Sequence, residues 1–183
     1  MVKFKLQLAC VAAGALAAAA ALNAQPSSTL ATVEQTWLTA HNSARAEFGS
    51  PPLRWSRSLT KEAREWARYL ATRQQLRHSN RESRKGAGEN LWMGTRGYFS
   101  PAQMVNSFVE ERQFFVPGRF PQVSRTGNWG DVGHFTQIVW PQTREVGCAM
   151  ASSAQYDVLV CRYWPAGNMI GTTITPHNRV AAK

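Results

Sequence analysis

The sequence predicts an α+β fold, with helices packed on an antiparallel sheet. Three observations carry it. Amphipathic helical periods fill the first two thirds of the chain, a long Gly- and Pro-containing connection follows, and after Trp140 the apolar period drops to two. Helical segments gathered before a clear hairpin describe helices stacked on a sheet rather than alternating βαβ units.

The 183 residues begin with a leader, not with the fold. Lys3 and Lys5 precede an apolar, Ala-rich run from Leu6 to Leu22, and small Ala24 precedes the expected cut. This pattern reads as a secretory signal peptide over residues 1–24. One domain is expected over residues 25–183, secreted or periplasmic. Cys10 leaves with the leader, so Cys148 and Cys161 remain, and two cysteines in an exported chain predict one disulfide. The formal net charge of +10 falls to +8 without Lys3 and Lys5.

The first helix is expected from Val33 to Phe48, capped by Thr32 and Gln35 and stopped by Gly49. The second runs from Leu59 to Gln75 and delivers His78 just past its end. "SNRESRKGAGENLW" reads as a polar loop entering a short strand or turn. The third helix starts at Ser100, with Pro101 in its first position and Gln103 closing a capping box, and runs to Phe115. Val116 to Val132 is a long irregular connection. "REVGCAMA" and "YDVLVCRYW" pair around "SSAQ", which sets Ala151 opposite Val158 and Cys148 opposite Cys161.

The basic excess is mostly arginine between Arg54 and Lys85. Arg57, Lys61, Arg64 and Arg68 share one helix face, with Glu62 and Glu65 interspersed. For an exported protein an anionic cell-envelope surface is the available partner, and nucleic acid is not expected. His78, His134 and the glutamates near apolar sequence need another explanation. On the third helix Glu110 points away from the apolar stripe and Glu111 lies at its edge, so Glu111 is the cleft candidate. Arg112 falls inside the stripe, which suggests a groove along part of that face. Two imidazoles and two carboxylates suit zinc or a similar divalent ion, a hydrogen-bonded cluster, or a metal-free general base. No HExxH spacing selects among these. No GxSxG motif and no free cysteine offers a nucleophile, and Thr136 is the one hydroxyl close to His134 in sequence.

Four segments resemble the CAP superfamily of cysteine-rich secretory, antigen-five and pathogenesis-related proteins, whose unit is the SCP domain. They are "HNSAR" at His41–Arg45, "GENL" at Gly88–Leu91, "GHFTQIVWPQT" at Gly133–Thr143 and "VLVCRYWPAGNM" at Val158–Met169. The resemblance implies a three-layer α-β-α sandwich with an antiparallel sheet, and a short helix over "FTQIVW". It implies a central cleft holding His78, Glu89, Glu111 and His134, with the two histidines able to take a divalent cation, zinc or magnesium, not required for folding. His41, Asn42 and Asn168 take structural roles. Only residues 170–183 follow the last motif, so no appended cysteine-rich domain is expected. The family implies a binding module for lipid, sterol or another small extracellular ligand, and Trp92, Met93, Phe114, Phe115, Val116 and Phe120 are candidates to line an apolar groove. The alternative is a metal-dependent, protease-like hydrolase with Glu89 or Glu111 as base.

Overall fold

A computed structural model describes residues 26–176; the leader expected at residues 1–24 lies outside the described residues. Four helices and six strands follow in order: α1 (Pro26–Phe48), β1 (Arg54–Trp55), α2 (Arg57–Arg73), β2 (Gly88–Thr95), α3 (Pro101–Glu110), β3 (Gly118–Arg119), α4 (Gly133–Val139), β4 (Glu145–Ser152), β5 (Tyr156–Trp164) and β6 (Thr173–Ile174). Single 3₁₀ turns occupy Glu82–Arg84, Glu111–Phe114 and Trp129–Val132. No helix among the described residues is long and apolar enough to cross a membrane.

The main sheet has the order β1-β4-β5-β2. Its three long strands are antiparallel, and the two-residue β1 adds a parallel edge that makes the sheet mixed. The hairpin has the expected register, with Ala151 opposite Val158 and Cys148 opposite Cys161. The two sulfurs are joined across the hairpin, between cysteines separated by 13 positions in sequence. Strand alternation sends successive side chains into two separate cores. On one face Leu91, Ala149, Val158 and Val160 meet Ala63, Ala67 and Leu70 of α2. On the other, Val146, Cys148, Leu159, Cys161 and Tyr163 meet Trp37 of α1, Phe108 of α3 and Ile138 of α4. The result is the expected α-β-α sandwich. The alanines of α2 bring that helix close enough that a Cβ on Gly147 would strike the backbone of Ser56 and Thr60.

Two helix boundaries differ from expectation. α1 starts at Pro26, so Thr32 is interior and Gln35 reaches forward to Thr39 instead of closing a box. α3 stops at Glu110 and tightens into the 3₁₀ turn at Glu111, five residues before the expected end. Its start is as read: Ser100 and Gln103 exchange both bonds of a capping box. The connection at 116–132 is not wholly irregular, because β3 pairs with β6 and Phe115 bridges to Ser124.

α4 is the element that matters for the site, and seven residues are too few to stand alone as a helix. Its ends leave orphan donors and acceptors that need partners. Arg45 of "HNSAR" supplies the C-terminal end, donating to the carbonyls of Ile138 (2.7 Å), Trp140 (2.9 Å) and Thr143 (3.1 Å) and also to Pro51 (2.6 Å). Ser50 donates to Val139 at 2.6 Å. Arg45 is fully buried with no carboxylate among its bonds, and burial, assisted by Arg144, lowers its pKa to about 10. Glu111 supplies the other end of α4.

Candidate functional site

The 3₁₀ turn after α3 turns the Glu111 side chain onto the start of α4. One carboxylate oxygen accepts the backbone N–H groups of His134 (2.9 Å) and Phe135 (3.1 Å), and the other accepts from His134 Nδ1 at 2.5 Å. A carboxylate only accepts, so Nδ1 carries a proton, and in the neutral imidazole the lone pair is on Nε2. Phe108 stacks on the imidazole at 4.8 Å between centroids, which fixes the ring plane. The ring stays one-third exposed. Glu110 is exposed and bonds nothing at this site, as its helical direction required.

His78 follows α2, whose end is set by Gln74 in the left-handed region. Its Nδ1 donates to Glu89 at 2.7 Å, again leaving Nε2 free. The Glu89 side chain is wholly buried and saturated. Ser79 donates through its backbone N–H (3.0 Å) and its hydroxyl (2.9 Å), Arg162 lies at 3.0 Å and Arg84 at 4.0 Å. Burial alone would raise the carboxyl pKa. The bonds from His78, the Arg162 charge and the two Ser79 bonds outweigh it and hold Glu89 below the usual carboxylate value.

The four predicted residues therefore meet as two imidazole–carboxylate pairs, His78–Glu89 and His134–Glu111, and not as one closed cage. β2 joins the pairs. Glu89 takes His78 on the α2 side of this edge strand, while the next residue, Asn90, points to the opposite face. There Asn90 Nδ2 donates to the His134 carbonyl and to Tyr163 Oη, both at 3.1 Å. Tyr163 in turn donates to His41 Nε2 (2.8 Å), and His41 Nδ1–H donates to the Trp37 carbonyl (2.7 Å). A buried relay thus ties α1, β5, β2 and α4 together. Burial, against the bond to Trp37, lowers the His41 pKa to about 4, so this imidazole is neutral. Close approach of α4 to β2 needs Gly88, because a Cβ there would strike the Gln137 amide.

His41 also lies near Cys148 and Cys161, with ligand atoms within 4.8 Å of one another. That trio does not suit a metal: the sulfurs are bonded to each other and both imidazole nitrogens have partners. Thr136, the hydroxyl considered near His134, is buried and donates to Asn168 Oδ1 at 2.8 Å, so it is not poised as a nucleophile. Sequence reasoning gave no role to Ser79, Asn90, Arg162 or Tyr163. The last two needed the β2–β5 register, which no local pattern reveals. Ser79 had one signal, its position next to His78.

A concavity separates α1 from α3, and none of His78, Glu89, Glu111 and His134 lines it. It is an open groove of about 960 Å³ lined by Ala40, Ala44, Ala102 and Val109 together with polar and charged residues, Thr36, Asn106, Glu47 and Glu110 among them. Arg112 lies at this groove and pairs with Glu47 at 2.8 Å, which explains its place in the α3 stripe. The aromatic candidates are elsewhere. Phe120 is buried, Phe115 and Trp92 pack on the larger core, and Met93 packs on the α2 side. None of the six borders the groove.

Residues 38–163 match the cysteine-rich secretory protein family, CAP. Pathogenesis-related protein 1C of Nicotiana tabacum is 36% identical over 140 residues, spanning 75% of this chain and 78% of that protein. Human cysteine-rich secretory protein 2 is 33% identical over 159 residues, spanning 80% of this chain and 62% of its own length. Among solved structures, that of NaASP2 with Zn2+ superposes with a TM-score of 0.66 at 25% identity, covering 79% of this chain and 85% of that one. BmVAL-1 superposes at 0.65 and 23% identity, covering 78% and 81%, and supports the fold. With its sandwich, its four motifs and these relatives in agreement, the chain belongs to the cysteine-rich secretory protein family, the CAP superfamily.

Proposed function

We propose that this protein is an exported CAP-domain binding module that takes an elongated amphipathic lipid between α1 and α3. The observation that carries the reading is the groove itself. Its volume of about 960 Å³ lies at the upper end of the roughly 300–1,000 Å³ usual for ligand pockets. Ala40, Ala44, Ala102 and Val109 give the groove an apolar part, and its polar lining residues suit the headgroup of an amphipathic lipid. The relatives' names place them among secretory and pathogenesis-related proteins, which fits export through the leader at residues 1–24.

The two pairs can hold a divalent cation alongside. In each, a carboxylate fixes the imidazole and leaves Nε2 as the donor, the arrangement that orients histidine toward zinc. Zinc fits these nitrogens better than magnesium, which asks for oxygen ligands. NaASP2 is a relative described with Zn2+. The same saturation argues against the competing reading, a metal-dependent hydrolase. Each oxygen of Glu89 accepts two partners and the side chain is buried, so that carboxylate has no site left for a proton from water. Glu111 accepts three N–H groups and is committed to His134 and the start of α4.

Binding of a fluorescent fatty acid and of cholesterol tests the reading, with Ala102→Trp filling the groove and His134→Ala as the comparison. The expected result is saturable binding that drops at least tenfold in Ala102→Trp and holds in His134→Ala. No saturable binding, or binding indifferent to the filled groove, overturns it. Zinc-dependent peptide cleavage lost in both His78→Ala and His134→Ala would establish the hydrolase instead.

A further inference from the structure

We infer that the exposed flank of α2 is a docking surface for a linear acidic polysaccharide. At about 100° per residue, Arg57, Lys61, Arg64 and Arg68 fall within roughly 60° of arc. They run for about 16 Å along the helix in steps of roughly 5 Å. Three of the four are exposed and Arg64 is half-buried. None of these side chains makes an ion pair, hydrogen bond or ring contact among the described residues. Glu65 and Glu62 sit roughly 70° and 130° away from the centre of the row, and neither forms an ion pair with it among the described residues. The opposite side of α2 is locked onto the sheet by Ala63, Ala67 and Leu70, so the row has one fixed orientation. Four unpartnered cations in line, on a chain whose formal net charge is +10 in full and +8 without Lys3 and Lys5, match a polymer that carries one acidic group per repeat.

The neighbouring aromatics decide against other polyanions. Single-stranded nucleic acid is held by ring faces on which bases stack. Here Trp66 and Tyr69 stack on each other, with centroids 4.8 Å apart, and the Arg77 guanidinium lies 5.4 and 5.3 Å from the two ring centroids. Arg77 also donates to Tyr69 Oη at 2.6 Å, and Trp66 Nε1 donates to the Arg77 carbonyl. The ring faces are occupied. A bilayer-binding helix presents large apolar side chains beside its cations. Within α2 no large hydrophobic residue is exposed; Leu76 lies beyond its end.

The test measures binding of heparin and polygalacturonate as probes at 50 and 300 mM salt. It compares the full protein with a variant carrying R57Q, K61Q, R64Q and R68Q, and with a charge-matched control carrying R81Q, K85Q, R96Q and R125Q. Glutamine keeps the helix propensity of the exposed positions, and circular dichroism with thermal melting verifies that both variants fold. The expected result is salt-sensitive binding that weakens at least tenfold in the α2 variant and less than threefold in the control. Equal losses in both variants would reduce the effect to net charge and overturn the proposal. So would the absence of binding, or tighter binding to phosphatidylglycerol vesicles or to a single-stranded DNA 30-mer.

Discussion

Replacing Glu111 with Gln leaves the side-chain shape intact and removes its charge. In the native structure the carboxylate accepts three N–H groups, at 2.5, 2.9 and 3.1 Å. Glutamine has one acceptor oxygen. If that oxygen keeps the two backbone donors of α4, the amide NH₂ faces Nδ1–H of His134, and two donors cannot pair. The imidazole then escapes by moving its proton to Nε2 and accepting at Nδ1. Hydrogen bonds to a charged group are worth about 1.5–3 kcal/mol each, against about 0.5–1.5 for neutral ones. Three bonds weakened in this way, with relaxation, give a cost of about 2 kcal/mol. For a domain of this size that is a melting temperature lower by about 4–8 °C. Glu110→Gln, one residue earlier on an exposed position, should stay within about 0.5 kcal/mol. Urea and thermal unfolding measure the stabilities, and ¹⁵N spectra of the histidine side chains read the tautomer. The reasoning fails if Glu111→Gln is as stable as the parent, if Glu110→Gln costs as much, or if His134 keeps its proton on Nδ1.

Acid should destabilise the fold before any carboxylate titrates. Below about pH 6.5 the unfolded chain protonates His41, while the folded chain resists down to about pH 4. Stability is therefore complete above that window and falls by on the order of 3 kcal/mol across it; chemical unfolding at pH 7 and pH 4.5 should show the slope, and His41→Gln should flatten it. Glu89, with its folded pKa depressed, contributes stability above the ordinary carboxylate pKa and loses it as pH falls further. Glu89→Gln should reduce the remaining acid sensitivity in the same titration. Arg45→Met orphans carbonyls at four residues, each costing about 1–3 kcal/mol, so a loss on the order of 4 kcal/mol is expected. A melting temperature within a few degrees of the parent would show that those carbonyls find other partners. Zinc titrated into the protein should shift the Nε2 resonances of His78 and His134, and His78→Ala with His134→Ala should abolish the response; an unchanged titration in the double variant would place the ion elsewhere.

Much of the fold was legible because its signals are local. The hairpin register around Cys148 and Cys161 follows from strand alternation about a short turn. The start of α3 follows from Ser100, Pro101 and Gln103, whose bonds lie within one helical turn. The choice of Glu111 over Glu110 followed from a helical angle alone. Local signals misled where a neighbour overruled them. Thr32 and Gln35 resemble a cap, yet α1 runs through them from Pro26. Phe115 and Phe120 looked like groove lining and joined or packed on the core, while Phe114 stayed exposed, because burial is decided by what packs opposite.

The sequence by itself determined the cores of the three long helices, the final hairpin, which cysteines pair, and which family supplies the plan. Those properties depend on spacing along the chain. Tertiary structure decided how the polar residues are used. Only the β2–β5 pairing sets Arg162 beside Glu89 and Asn90 beside Tyr163, and only the approach of α1 and α3 opens the groove. It also closed each end of α4 with a side chain from a distant segment, Arg45 at one and Glu111 at the other. Buried polar groups must find partners wherever the fold provides them, and those partners lie up to 122 residues away, from His41 to Tyr163, beyond the reach of any local pattern.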